Sequence, residues 1–186
     1  TYYEKMSSRL PEMLQSISTT PKRFFLSYQP ITLEKKNMVE DSLNYTSILT
    51  DYTVTEKTDG ERYLIYIDED GDAYSFNNRM LMDKLNLKNE YYNSLLDVEF
   101  VKKSKYGTTI NEFMVFDIYF MKGEDTRVQQ LVPDRLNSMK KCVKGFKGKS
   151  KFNIICKTFH YGKSIYELNK KVYDKEKYKY NIDGLI

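Results

Sequence analysis

The segment Glu56-Lys57-Thr58-Asp59-Gly60-Glu61-Arg62 sets a lysine beside a tight-turn pair and among charges of both signs. A lysine amine fixed at a strand end can have its pKa lowered by neighbouring cations and partial burial. The neutral amine is then a nucleophile. The bland alternative is a hairpin, with Asp59-Gly60 as the turn and charged flanks in water. Other carriers of chemistry are sparse. Cys142 and Cys156 form no CxxC pair and no zinc pattern, so reduced thiols in a cytosolic setting are expected. For His160, the single histidine, a hydrogen-bonded structural role is expected.

A nucleophilic lysine needs strands to hold it. Tyr52-Thr53-Val54-Thr55-Glu56-Lys57 alternates in a strand-like way, and Tyr63–Ile67 and Ala73–Phe76 are β-rich runs joined by an Asp70-Gly71 hairpin signal. Leu95–Val101, Glu112–Phe120 and Phe152–Lys157 also read as strands. A helix is expected over residues 1–20, with Tyr3, Met6, Leu10, Met13, Leu14 and Ile17 near one face and Pro11 as a break point. Residues 21–50 look irregular, with Pro21 and Pro30 limiting regular structure. Residues 132–144 resemble a helix. A further helix is expected from a Ser164 cap to about Lys175, with Glu167 completing a capping box. Strands dominate and helices do not alternate strictly with them, so the expected class is α+β with antiparallel sheet. The expected division is an N-terminal helical or irregular segment, 1–50, packed on or linking to a domain spanning 51–186.

The 186 residues are 40% hydrophobic and 30% charged, enough for a core and against wholesale disorder. No run of eighteen apolar residues exists, and the first residues lack the apolar run of a signal peptide, so no membrane partner is expected. The net charge of +4 permits a phosphate-bearing partner without demanding one. Tyr is abundant, Trp is absent and Ala73 is the one alanine, a bias that points to an AT-rich genome rather than to chemistry.

The lysine segment resembles motif I, KxDGxR, of the covalent nucleotidyltransferases: mRNA capping guanylyltransferases and the ATP-dependent DNA and RNA ligases. The family's further motifs are matched in order. Asn77-Asn78-Arg79 is similar to motif Ia, and Leu96-Asp97-Val98-Glu99-Phe100-Val101 to motif III, with Val98 where relatives carry glycine. Val115-Phe116-Asp117-Ile118 is similar to motif IIIa and Asp183-Gly184-Leu185-Ile186 to motif IV. Motif V does not appear after Ile186, and no OB-fold candidate follows, so the chain is expected to be an excerpt of a nucleotidyltransferase domain flanked by helices. Glu56 directly before the lysine, Thr55 where ligases often carry an acid, aspartate rather than glutamate in motif IV, and Pro30-Ile31-Thr32-Leu33-Glu34 upstream favour the capping branch. The Pro30–Glu34 segment resembles the one in multifunctional capping enzymes of large DNA viruses, and related enzymes of yeast cytoplasmic plasmids are a further source.

The resemblance implies Lys57 as nucleophile on GTP, giving lysyl-GMP, with transfer of GMP to the 5′-diphosphate end of RNA. Arg62 and Arg79 would contact sugar or phosphates. Glu99 would bond the ribose or help position a metal, and Phe116 would stack on the base. Asp183 would assist the metal or orient the α-phosphate. Asp59 would hold Lys57 or a metal-bound water, or serve as a turn residue. Mg²⁺ or Mn²⁺ is the implied cofactor. Triphosphatase and methyltransferase domains are implied as companions, and host cytoplasm or virion as the location. An ATP-using ligase and a non-catalytic nucleotide-binding scaffold are the alternatives. For Phe116 the competing role is core packing, and for Arg79 a plain surface cation. The lysines at 140, 141, 144, 147, 149 and 151 could guide RNA phosphates; a solvated helix face and loop is the commoner role.

Overall fold

A computed structural model describes residues 9–17, 32–38, 48–49, 52–79, 81–129, 131–162 and 164–186. In chain order its regular elements begin with α1 (Arg9–Ile17), β1 (Thr53–Val54), β2 (Glu56–Thr58), β3 (Glu61–Ile67), β4 (Asp72–Asn77) and β5 (Met82–Asn89). There follow β6 (Ser94–Lys103), β7 (Thr109–Met121), β8 (Glu124–Asp125), α2 (Leu136–Lys144) and β9 (Phe146–Gly148). The last are β10 (Asn153–Cys156), β11 (His160–Tyr161), α3 (Ile165–Val172) and β12 (Ile182–Leu185). This is a mixed α+β chain with mostly antiparallel pairing, as the residue pattern implies. It divides into two compact units. One takes Thr1–Tyr28, Gly60–Lys103 and Thr109–Cys156; the other takes Gln29–Asp59, Ser104–Thr108 and Lys157–Ile186.

The first unit is built on an eight-stranded sheet of order β10-β7-β6-β3-β4-β5-β9, with β8 paired to β7. Among the described strands, β10 and β7 alone run parallel. Gly71, at φ +79°, makes the β3–β4 hairpin that the Asp70-Gly71 pair implies. Alternation sorts the side chains onto two faces. Leu64, Tyr66, Phe76, Leu95 and Tyr119 pack with Leu10, Met13, Leu14 and Ile17 of α1. Pro11 therefore sits in the first turn of α1, where its missing N–H costs nothing. Tyr3 and Met6, expected on the same face, lie outside the described residues. Ser94, opposite Ile67 on the other face, meets Cys142 of α2.

The ends of this sheet are tied by a short link. β9 and β10 lie at opposite edges, yet only residues 149–152 join them. Six strand spacings in a flat sheet would span about 29 Å, whereas that link reaches about 18 Å when fully extended. The sheet must therefore curl into a half-barrel. α2 lies between its edges, packed on β7 and β10, and Asn89 Nδ2 of β5 donates to the Cys142 carbonyl at 2.8 Å. α2 starts at Leu136 rather than near 132, because a wider π turn, Leu131–Arg135, containing Pro133 precedes it.

In the second unit β1 pairs with β11 and β2 with β12, both antiparallel. Val54, Leu168 and Val172 form its core, with Ile165 and Leu185 against them. The strand expected over Tyr52–Lys57 is broken at Thr55, whose N–H and C=O bond Ile186 at 2.8 Å each. Ser164 caps α3, its hydroxyl accepting from Glu167 N at 3.5 Å. The helix stops at Val172, not near Lys175, and a 3-10 turn, Lys175–Lys177, capped by Asp174 follows.

The hairpin alternative at Asp59-Gly60 fails. The ladder partner of β2 is β12, and those of β3 are β4 and β6. Gly60 answers a different demand: a Cβ there would lie 2.7 Å from Phe100 O and 2.9 Å from Glu99 Cγ. Only glycine lets the chain pass so close to β6.

Candidate active site

The nucleophile candidate is set by a two-strand register. Gly184 faces Lys57 and Ile182 faces Thr58, so the ladder skips Asp183 and leaves it as a bulged residue. The bulge re-aims its side chain, and Lys57 Nζ donates to Asp183 Oδ2 at 2.6 Å. Both side chains stay open to solvent, at 43% and 50% exposure. An ion pair this exposed adds only about 0–1 kcal/mol to stability, so fold stability does not account for it.

The neighbouring residue of β2 is treated in the opposite way. Glu56 is buried, and its carboxylate accepts from Thr55 Oγ1 at 3.0 Å and Tyr180 OH at 3.0 Å. Lys157, equally buried, donates to the Glu56 carbonyl at 2.6 Å and stands 3.9 Å from its carboxylate. β2 is thus pinned on one side by polar anchors while Lys57 projects from it into solvent. Asp59 is exposed; its N–H donates to Asn181 O at 3.0 Å, which continues the β2–β12 pairing toward the glycine.

In the sheet unit, Arg62 lies opposite Glu99 on β3 and β6, so the two share a face. The guanidinium of Arg62 holds Asp97, Nε at 3.0 Å from Oδ1 and Nη2 on Oδ2. Tyr119 OH donates to the same carboxylate. The Arg62 carbon Cζ stands 5.4 Å from the ring centroid of half-buried Phe116, a cation–π contact. Burial works against the charge of Arg62, but the hydrogen bond and charge of Asp97 outweigh it and raise its pKa. Burial pushes the Asp97 carboxyl up against the pull of Arg62 and Tyr119. It likewise pushes up the Tyr119 phenol, helped by the Asp97 charge. Next door, burial raises the Asp117 carboxyl from 3.8 to about 6, against the attraction of Arg135. Arg135 Nη2 donates to Asp117 Oδ2 at 3.1 Å.

The residues singled out in the sequence therefore fall into two groups. Lys57 and Asp183 are brought together in one unit, with Asp59 on the same strand path. Arg62, Glu99 and Phe116 are brought together in the other. Arg79 sits exposed in the turn after β4, where its N–H donates to Asn77 Oδ1 at 2.9 Å; no contact joins its side chain to the others. Sequence reading missed Asp97, Tyr119, Glu56, Lys157 and Tyr180. The signal for Asp97 was a carboxylate inside an apolar strand, which must be paired to be buried. Glu56 and Lys157 gave no such signal, because the pair is separated by a hundred residues of chain.

Among the described residues no group of three or more His, Cys, Asp or Glu gathers to hold a metal ion. A magnesium-like ion takes one or two carboxylates and completes its shell with water and substrate phosphates. Asp183 offers hard oxygen ligands of this kind. No helix among the described residues is long and apolar enough to cross a membrane.

Comparison with known proteins adds the family. A family model described as mRNA capping enzyme, catalytic domain, matches residues 2–186. A protein of Acanthamoeba polyphaga mimivirus, described as a probable mRNA-capping enzyme, is 34% identical over 104 residues. The matched stretch covers 53% of this chain and 8% of that relative, so the chain spans a small part of its length.

Proposed function

We propose, for a chain that belongs to the mRNA capping enzyme catalytic-domain family, that it is an mRNA guanylyltransferase domain working through Lys57. The lone pair of Lys57 Nζ attacks the α-phosphorus of GTP. The bond from that phosphorus to the β-phosphate oxygen breaks, pyrophosphate leaves, and a P–N bond holds GMP on the lysine. A terminal oxygen of a 5′-diphosphate RNA end then attacks the same phosphorus. The P–N bond breaks, the lysine amine is restored, and the product is a 5′–5′ triphosphate link. The pairing of an exposed lysine with a bulge-borne aspartate carries this reading: Nζ lies 2.6 Å from Asp183 Oδ2.

Each residue has a task that its chemistry suits. Asp183 orients Nζ and accepts the proton that the amine must lose before it attacks. Arg62, beside the Phe116 ring, and Arg79 supply positive charge for the nucleotide's sugar and phosphates. Glu99 accepts hydrogen bonds from ribose hydroxyls, and Phe116 offers a stacking face to the base. Asp59 supports Lys57 or the water shell of the ion. Mg²⁺ or Mn²⁺ would supply charge neutralisation for the triphosphate, and Asp183 and Glu99 are each carboxylates that could serve such an ion.

The test is covalent labelling of the protein expressed at full length, with α-labelled GTP and with α-labelled ATP. GTP labelling that Lys57→Ala removes is the expected result. Labelling by ATP alone turns the assignment toward ligation, and no adduct from either nucleotide leaves a binding or scaffold role. Companion triphosphatase and methyltransferase activities, and a cytoplasmic site of action, belong to the same reading and are assayed on the same protein.

A further inference from the structure

We infer that the lysines of α2, β9 and residues 149–152 form a track for the sugar-phosphate backbone of single-stranded RNA, on the side of the sheet unit where its edges approach. The inference rests on the reading above that the chain acts at an RNA end. Between Asp134 and Glu167 the sequence contains no acidic residue, while Lys140, Lys141, Lys144, Lys147, Lys149 and Lys151 fall in that stretch. All six are exposed. Several lysines elsewhere are paired with carboxylates: Lys84 and Lys88 with Asp72, Lys105 with Glu176, Lys36 with Glu34 and Lys57 with Asp183. None of the six comes within 4.0 Å of a described carboxylate.

Local chemistry sharpens the contrast. β9 is an edge strand, and its Lys147 stands directly opposite Lys88 of β5. Lys88 has Asp72 at 3.0 Å to offset its charge, whereas Lys147 has no described carboxylate within reach. Lys140 and Lys144 also lie close enough to Cys156 on β10 to favour its thiolate, although burial dominates and lifts that thiol to about 11. The positive field thus extends from the β9 edge along α2 to the β10 edge. Lys151 Nζ is 5.0 Å from the Phe152 ring centroid, so the track ends on an aromatic bearing a cation. Six exposed cations on consecutive elements, with an aromatic at the end, suit a flexible polyanion with one charge per nucleotide better than a compact acidic protein face.

The experiment is the salt dependence of binding of a 5′-diphosphate single-stranded RNA to the full-length protein, read by fluorescence anisotropy. Each phosphate contact to a single strand contributes about 0.7 to the slope of log affinity on log salt. The combined variant Lys140→Ala, Lys144→Ala, Lys147→Ala and Lys151→Ala is expected to flatten that slope by about 3. A control with the same charge change, Lys105→Ala, Lys170→Ala, Lys171→Ala and Lys177→Ala, is expected to keep the slope. An unchanged slope in the first variant overturns the track, and so does equal flattening in the control. If instead the first variant loses binding of polyglutamate and keeps the RNA slope, the patch serves an acidic protein and the inference is wrong. Lysyl-GMP formation is read separately: a wild-type protein that forms no adduct defeats the functional reading, while the RNA slope still decides the track.

Discussion

Two ion pairs sit in the two units of this chain, and they are built in opposite ways. Lys57 and Asp183 meet at the surface, with about half of each side chain in water. Arg62 and Asp97 meet inside the sheet, where Asp97 has no exposure and Arg62 keeps 19%. The exposed pair adds little to stability and leaves its amine reachable. The buried pair carries a desolvation cost that its hydrogen bonds must offset, and breaking it strands a charge. One pair is open for chemistry and the other fixes where an arginine and an aromatic face stand.

Mutation should separate the two. The largest effect is expected from Lys57→Ala, which removes all covalent labelling by GTP while the urea midpoint shifts little, because only an exposed pair is lost. A collapse of the midpoint would show that the lysine is structural. Next, Asp97→Ala should destabilise the protein by about 3–5 kcal/mol, since Arg62 loses its buried carboxylate partner; urea unfolding measures it, and a change below about 1 kcal/mol would put Asp97 in the same class as Asp183.

Glycine substitutions sharpen the contrast at a smaller scale. Gly60→Ala should cost about 1–3 kcal/mol by overpacking against the β6 backbone. Gly184→Ala has only Lys57 Cβ and Cδ at 3.9 Å before it, an ordinary contact, so thermal unfolding should move far less. Equal losses would remove the argument for a close approach at Gly60.

The smallest effect is a pH slope. Burial pushes the Asp117 carboxyl up to about 6 in the folded chain against an ordinary 3.8. Between these values the folded chain holds a proton that the unfolded chain has released. Stability from this group is therefore present below the lower value and lost as pH rises toward about 6. Asp117→Asn should flatten that decline in unfolding free energy between pH 4 and 6; an unaltered slope would mean that the buried aspartates titrate normally.

Much of the sheet was legible because its strands announce themselves locally. β3, β4, β6 and β7 follow β-rich runs, and Gly71 marks a turn. β5 was missed although Leu85, Leu87 and Asn89 alternate as buried positions, because flanking Lys, Asp and Asn made it look like loop. β9 and β11 are too short to leave a pattern. The pairing of β2 with β12 joins residues over a hundred positions apart, and no local rule reports such a partner. The same distance explains the site. Lys57, Arg62 and Asp183 were found through motif spacing, yet the bulge that aims Asp183 and the anchors that pin Glu56 exist only after long-range pairing.

The bulge at Asp183 also sets two kinds of selection against each other. Removing that residue would restore an unbroken ladder between β2 and β12. A screen that rewards thermal endurance alone would favour such a deletion, or any change that lets Gly184 and Ile182 pair in step. A screen that rewards adduct formation would reject every one of them. The skipped rung is thus a place where an evolving population trades robustness for turnover, and libraries built for heat tolerance should leave it fixed.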